Sequence, residues 1–154
     1  MPYQIRLEQV APRTTAVVRR RAISEALSRA IPKACGDVWA FHRSHPLPGA
    51  GRHIALYLDC EVNFECGVEV ARPFTGNDSV FCSSTPAGLV AVTEHCGPFG
   101  LLGAAHAAIR EWCAAEGHRP AGPNWEVYGH GDAEPSKLVT EVFYLLRCAG
   151  ENGS

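Results

Sequence analysis

Two acidic and two aromatic side chains in the last third of the chain could form a binding or catalytic site. In the segment NWEVYGH, Glu126 and Tyr128 are two residues apart, so they share one face of a strand. In the segment LVTEVFYLL, Glu141 and Phe143 have the same spacing. If these strands pair, we expect the four side chains to converge on one surface, where Tyr57 of the segment IALYLD adds a third ring.

Such a cluster allows two kinds of chemistry. A carboxylate removed from water stabilises an arriving organic cation, and aromatic faces add a cation–π attraction of about 0.5–2 kcal/mol each. Alternatively, a glutamate activates water while a tyrosine hydroxyl protonates a leaving oxygen, and the catalytic candidates are then Glu126 and Tyr128. The structural alternative is that the glutamates face solvent and the aromatic rings belong to the core.

The elements that would position these residues occur twice. The first half of the chain has the order strand, helix, strand, strand, over about residues 3–72, and the second half repeats it over about residues 86–147. At 154 residues, the chain is long enough for one domain and too short for two ordinary ones. We therefore expect a single α+β domain over residues 1–154, with a duplicated βαββ unit, an antiparallel sheet and helices on one face.

The two copies differ at one acidic position. Tyr57 aligns with Tyr128, but Glu126 of the second copy aligns with Ala55 of the first. A symmetric scaffold with an acid on one side indicates a pocket on the pseudo-twofold axis. Glu65 aligns with Glu141, and we expect it to face water at a hairpin.

Several residues predict where elements begin, bend or end. Pro12 interrupts the first strand, and Pro32 with Gly36 is expected to kink or split the first helix. Gly117 is expected to cap the second helix at its C-terminus. The apolar stripe of that helix consists of Leu102, Ala105, Ile109 and Trp112.

The histidines and arginines give weaker signals. His106 and His118 are expected on the surface of a helix or loop, whereas His95 and His130 are better placed for function. The basic run Arg19–Arg21 is expected to be a solvated strand end.

Composition excludes several classes of protein. No apolar run approaches the roughly 20 residues that span a bilayer, and the N-terminus does not have the pattern of a signal peptide. A net charge of −2 disfavours nucleic acid as the main partner. The seven cysteines have no C-x-x-C spacing, so we expect reduced thiols in a cytoplasmic protein with no metal and no cofactor.

The segments VTEHCGPFGLLGAAHAAIREWCAAEGHRPAGPNWEVYG and VTEVFYLL resemble the GyrI-like small-molecule-binding domain. This family includes the effector-binding domains of bacterial AraC-type and MerR-type regulators. The resemblance covers nearly the whole chain, since VAPRTTAVVRR and ALYLDCEVNFECGVEV fit its first half. It implies a duplicated βαββ fold whose central groove binds drug-like molecules.

The resemblance also assigns residues. Glu126 matches the deep acidic residue that pairs with cationic ligands, and Glu141 matches a second acid. Tyr128 and Phe143 match neighbouring pocket positions, and Phe99 matches a position near the pocket mouth.

We expect a stand-alone family member, because only two residues precede Tyr3 and none could form a helix-turn-helix segment. Three functions are consistent with this resemblance. The first is binding of aromatic small molecules, including cationic ones. The second is hydrolysis of the cyclopropane ring of DNA-alkylating natural products, and the third is inhibition of a protein partner. The oligomeric state is left open.

Overall fold

The computed structural model describes residues 3–21, 27–58, 63–98, 101–129 and 138–147. This part of the chain contains two helices and eight strands, and the paired strands are antiparallel. The strands and helices, in chain order, are β1 (Arg6–Val10), β2 (Thr14–Arg21), α1 (Leu27–Ser44), β3 (His53–Tyr57), β4 (Asn63–Glu69), β5 (Phe81–Ser84), β6 (Gly88–Cys96), α2 (Leu102–Glu116), β7 (Pro120–Tyr128) and β8 (Val139–Leu146). The predicted α+β class is confirmed.

The contacts within the chain form two groups. One group, here the continuous unit, is Pro12–Pro86, and the other, here the split unit, combines residues up to Ala11 with those from Ala87 onward. Each unit contains the order strand, helix, strand, strand: β2-α1-β3-β4 in the continuous unit and β6-α2-β7-β8 in the split unit. The pseudo-twofold relation between the copies remains a prediction.

The continuous unit is a four-stranded sheet of order β3-β4-β2-β5, with α1 packed on β2 and β4. The strands approach each other closely at Gly67 of β4, where an added Cβ would lie 1.8 Å from the carbonyl oxygen of Ala16. A thiol–thiol contact joins the helix to the sheet, with Cys35 Sγ 3.3 Å from Cys66 Sγ. Strand β5, which pairs with the edge of β2, was not predicted.

The first helix differs from its prediction. Helix α1 runs without interruption through Pro32 and Gly36, so the expectation that these residues split it is wrong. Nothing lies within 4 Å of a Cβ added at Gly36, which indicates that this glycine is not required by packing. The predicted interruption at Pro12 is confirmed, because β1 ends at Val10 and β2 begins at Thr14.

The split unit is a sheet of order β1-β6-β8-β7. Strand β1 pairs with β6 along its whole length, with Leu7 opposite Ala91. The side chains between α2 and the sheet form the core of this unit, and its buried members are Ala91, Leu102, Ala105, Ile109, Cys113, Val142, Tyr144 and Leu146. The predicted apolar stripe of α2 is therefore confirmed, with Trp112 partly buried beside it.

Helix α2 ends as the sequence predicts. Gly117 adopts a left-handed conformation with φ of 78°, which glycine adopts without the steric cost of a Cβ. The backbone N–H of His118 then donates to the carbonyl of Cys113 at 2.8 Å and satisfies one of the last helical acceptors. No helix in the described part of the chain is long and apolar enough to cross a membrane.

Candidate functional site

The register between β7 and β8 decides which way Glu126 faces. Glu126 lies directly opposite Val142, and directly opposed residues of antiparallel strands share one face of the sheet. Val142 belongs to the core between the sheet and α2. Glu126 therefore lies on the helix-facing side of the split unit, together with Tyr128 two residues on.

Glu126 is buried and hydrogen-bonded through both carboxylate oxygens. Only 5% of the residue is exposed. The Tyr128 hydroxyl donates to Oε1 at 2.5 Å, and Nε2 of His106 lies 2.6 Å from Oε2. A carboxylate withdrawn from water needs such donors, because burial without them disfavours its charged form.

The second ring nitrogen of His106 continues this network. The Tyr144 hydroxyl lies 2.7 Å from Nδ1, and the Arg110 guanidinium donates to the same hydroxyl oxygen at 3.0 Å. Burial raises the pKa of Tyr144, so its hydroxyl keeps its proton near neutral pH. Because a guanidinium only donates, the Tyr144 proton is available to Nδ1 of His106.

Helical spacing explains how α2 supplies two members of this network. His106 lies four residues after Leu102 and three before Ile109, both buried in the core. It therefore borders the apolar stripe, and Arg110, one turn further along, projects from the same side. The expectation that His106 is a surface residue is wrong, since only 15% of its side chain is exposed.

The predicted convergence of four side chains is also wrong. Phe143 lies opposite Trp125, and Glu141 lies opposite Val127, so both face away from α2. The Phe143 ring stacks on Trp125 with centroids 5.2 Å apart. The strand periodicity was assigned correctly, but the pairing places Glu126 opposite Val142 and not opposite Glu141. A difference of one residue in register reverses the face of every side chain.

The structure describes some of the remaining predicted residues. Tyr57 ends β3 of the continuous unit, with its ring centroid 6.4 Å from that of Phe64. Phe99 and His130 lie outside the described residues. His95 is buried, with Nδ1 2.8 Å from the Tyr3 hydroxyl and Nε2 3.1 Å from the Pro98 carbonyl oxygen.

Sequence reasoning missed His106, Tyr144 and Arg110. One signal was available for His106, because its position beside the stripe of Leu102 and Ile109 points it toward the sheet. No comparable signal existed for Tyr144, since its relation to Glu126 depends on the strand register.

A buried hydroxyl lies beside the cluster. Thr140 is opposite Tyr128 on β8 and is 0% exposed. Its Oγ1 has no hydrogen-bond partner among the described residues. Buried polar groups are normally satisfied, so the unpaired Thr140 hydroxyl is an exception within the core of this unit.

In the continuous unit, Glu65 is only 3% exposed, so the expectation that it faces water is wrong. Arg19 donates to one carboxylate oxygen at 2.7 Å, and the Ser83 hydroxyl donates to the other at 2.8 Å. The Arg19 guanidinium also lies 5.1 Å from the centroid of the Phe81 ring. Arg19 is thus an exposed strand-end residue, as expected, but one that neutralises a buried acid.

No group of three or more possible ligands that could hold a metal ion occurs among the described histidines, cysteines, aspartates and glutamates. No disulfide joins the five cysteines in the described ranges, which are Cys35, Cys66, Cys82, Cys96 and Cys113.

Comparison with known proteins identifies the scaffold. The family model of the GyrI-like small molecule binding domain matches residues 3–147. The C-terminal domain of EcmrR is 18% identical, with a TM-score of 0.80 over 97% of this chain and 100% of that one. SAV2435, solved bound to tetraphenylphosphonium, is 17% identical, with a TM-score of 0.64 over 96% of this chain and 94% of that one.

A hydrolase from Listeria innocua is 11% identical, with a TM-score of 0.60 over 95% of this chain and 93% of that one. No curated protein matches the chain in sequence. At these identities the structural likenesses show a common fold.

Proposed function

The chain belongs to the family of GyrI-like small molecule binding domains, and we propose that it binds drug-like aromatic cations at Glu126. The observation that carries this proposal is the hydrogen bonding of the buried Glu126 carboxylate. Tyr128 and His106 hold its two oxygens in place on the helix-facing side of the sheet. An opposite charge close to a carboxylate stabilises its ionised form, so this position favours a cationic ligand.

The surroundings of Glu126 favour an aromatic or otherwise apolar ligand. The rings of Tyr128, His106 and Tyr144 surround the carboxylate network, and Tyr128 and His106 are partly exposed. A cation that lies against these rings feels both the carboxylate behind them and the negative face of the tyrosine ring.

The first test is titration of the protein with tetraphenylphosphonium, a permanent cation with four aromatic rings, by isothermal calorimetry. Glu126→Gln keeps the size of the side chain and removes its charge. We expect this change to weaken binding by about 10- to 100-fold, because a hydrogen-bonded charge contributes about 1.5–3 kcal/mol.

Glu141→Gln is the matched control. It makes the same chemical change on the opposite face of the sheet and should alter the affinity by less than about threefold. The proposal fails if the wild-type protein does not bind the cation, or if Glu126→Gln binds it as tightly as wild type does.

The second candidate function is hydrolysis of a strained ring. The contact of 2.6 Å between Glu126 and His106 favours it, because a paired carboxylate and imidazole can accept a proton from water. In such a reaction one cyclopropane C–C bond breaks and a C–O bond to water forms. The electron pair of the broken bond moves to an acceptor atom, which Tyr128 protonates.

Mass spectrometry distinguishes the two candidates. Protein incubated with cyclopropane-bearing electrophiles should release a product heavier by one water if it is a hydrolase, and this product should disappear in Glu126→Gln. Recovery of every compound at its original mass would exclude this candidate for those compounds and favour binding alone.

We further propose that the protein works in a reducing compartment such as the cytoplasm. The support is that the seven cysteines have no C-x-x-C spacing and no paired spacing typical of a metal-binding knuckle.

A further inference from the structure

We propose that Cys35 and Cys66 form a peroxide-sensitive thiol pair, in which a hydroperoxide oxidises Cys35 and Cys66 then closes a disulfide between helix α1 and strand β4. This inference concerns the continuous unit and does not depend on the function proposed for Glu126. It starts from one geometric fact: Sγ of Cys35 lies 3.3 Å from Sγ of Cys66.

The helix and the sheet each fix the position of one sulfur. Cys66 is fully buried in β4, directly opposite Val18 of β2 and Ala55 of β3, so these three side chains share one face of the sheet. On α1, Val38 is also fully buried, and Cys35, three residues before it, lies on the same side of the helix. An S–S bond is about 2.05 Å long, so the two sulfurs must approach by roughly 1.2 Å, which is less than one bond length.

The two thiols differ in exposure, and this difference gives each of them a role. Cys35 is partly exposed, whereas Cys66 is fully buried. The hydrogen bond from the Cys66 thiol lowers the pKa of Cys35, although burial acts in the opposite direction. Because the thiolate is the nucleophile, Cys35 is the sulfur that reacts with an oxidant from solvent, and Cys66 is the sulfur that resolves the product.

The reaction consumes one hydroperoxide molecule for each disulfide. The Cys35 thiolate attacks one oxygen of the hydroperoxide, the O–O bond breaks, and the leaving oxygen takes up the proton that the thiol lost. Cys35 is then a sulfenic acid. The Cys66 sulfur attacks the Cys35 sulfur, the S–O bond breaks, and the oxygen leaves as water with the Cys66 proton. With hydrogen peroxide, the thiols lose two electrons in total and the peroxide is reduced to two molecules of water.

The disulfide ties the helix of the continuous unit to its sheet. The two cysteines are 31 positions apart in the chain, so the bond closes a long loop and restricts the unfolded state. Oxidation should therefore raise the Tm by about 5–15 °C. In a reducing compartment, thiol–disulfide exchange removes the bond once peroxide falls, and dithiothreitol should reverse the rise in Tm in the same way.

Peptide mapping tests the pairing. Reduced protein is freed of reductant, treated with hydrogen peroxide under native conditions, blocked with iodoacetamide in urea and digested without reduction. Trypsin isolates Cys35 but leaves Cys60 and Cys66 on one peptide, and further cleavage after glutamate separates those two. We expect mass spectrometry to find a crosslink between Cys35 and Cys66 that disappears after treatment with dithiothreitol.

Three variants separate the roles of the thiols. Cys35→Ser removes the sulfur that reacts with peroxide, so neither the crosslink nor the rise in Tm should appear. Cys66→Ala removes the resolving thiol, so Cys35 should accumulate as a sulfenic acid that dimedone traps, which a merely structural thiol would not do. Cys113→Ala is the matched control, because Cys113 is also buried between a helix and a sheet but belongs to the split unit. This variant should form the crosslink as wild type does.

The wild-type protein alone can overturn the inference, whether or not Cys66→Ala folds. It is overturned if Cys35 and Cys66 are both alkylated after peroxide treatment, or if either of them is bonded to Cys60 instead. Burial raises the pKa of Cys113, so oxidation of Cys113 as fast as Cys35 would also contradict the assigned roles. Ligand binding at Glu126 is measured separately, so failure of the proposed function leaves this inference standing, and the reverse is also true.

Discussion

At the scale of single residues, five polar side chains form one continuous chain of hydrogen bonds on the face of the split unit that packs against α2. It runs from Tyr128 through Glu126, His106 and Tyr144 to Arg110. The two ends of the chain differ in charge, with a carboxylate near one end and a guanidinium at the other. A network of this kind fixes the orientation of each member through its neighbours.

A second histidine gives a pH dependence of stability. Nε2 of His53 accepts a hydrogen bond of 2.7 Å from Trp39 of α1, and burial lowers its pKa below the ordinary value of 6.5. The unfolded chain therefore takes up this proton first as the pH falls. We expect stability that is present above about pH 6.5 to be lost as the pH drops through the lower pKa of the folded state.

Urea unfolding of wild type and His53→Gln at several pH values between about 7.5 and 5 checks this expectation. Glutamine can accept the Trp39 hydrogen bond through its amide oxygen but does not titrate, so this variant should lose less stability on acidification. His45→Gln changes an exposed histidine and serves as the control. An equal loss in wild type and His53→Gln would show that other groups cause the pH dependence.

Residue-level prediction from sequence succeeded where one strand contained the information. The alternation along NWEVYGH is enough to place Glu126 and Tyr128 on one face. The same alternation could not show whether Glu141 shares a face with Glu126. That depends on the register between β7 and β8, which is set by contacts between residues far apart in sequence. His106 was missed because histidine on a helix is usually exposed.

At the scale of elements, the packing of β4 against β2 depends on Gly67, a residue without a Cβ. A Cβ at Gly67 would lie 1.8 Å from the Ala16 carbonyl oxygen and 2.9 Å from the Val17 Cα, both in the backbone of β2. Backbone cannot rotate out of the way as a flexible side chain can. This position therefore requires glycine for its lack of a Cβ and not for an unusual φ.

Gly67→Ala should lower the free energy of unfolding by about 2–4 kcal/mol, because the two strands must separate or shift their register. Gly36→Ala is the matched control in the same unit, since nothing lies within 4 Å of its Cβ and it is exposed in α1. That change should add about 0.5–1 kcal/mol through helix propensity. Denaturant unfolding of both variants measures the contrast, and a neutral Gly67→Ala would refute the assigned contact.

The elements were predictable to different degrees. Helix α2 has an apolar stripe and a C-terminal glycine, two independent local signals, and its course was predicted. Strand β5 consists of Phe81–Ser84, too short and polar to show alternation, and it forms through pairing with the edge of β2. Helix α1 continues past Pro32 and Gly36 and packs on β2 and β4, so local helix propensity alone did not predict its course.

At the scale of the whole molecule, each unit has an outer strand that is added to its βαββ core. In the continuous unit this strand is β5 beside β2, and in the split unit it is β1 beside β6. The two outer strands differ in how far they lie from their partners in sequence. The whole continuous unit, Pro12–Pro86, separates β1 from β6 along the chain. The boundaries predicted for the first repeat, residues 3–72, therefore combine β1 with elements that it does not pair with.

Removal of residues 1–11 tests the role of β1. We expect amide hydrogen exchange to increase in Gly88–Cys96, whose pairing partner is lost, and to remain unchanged in Asn63–Glu69. Cys82→Pro is the complementary control, since it breaks the pairing of β5 with β2 in the continuous unit. Equal loss of protection in both segments of the truncated protein would contradict this assignment.

The pairing of β1 with β6 also constrains the order in which the chain can mature during synthesis. Strand β1 is synthesised before β6 and has no partner until β6 has been made, whereas Pro12–Pro86 contains the partners of β2, β4 and β5 within itself. Glu126 and β8 follow later still. A nascent chain therefore cannot recognise a ligand through Glu126 until the split unit has been translated as far as β8.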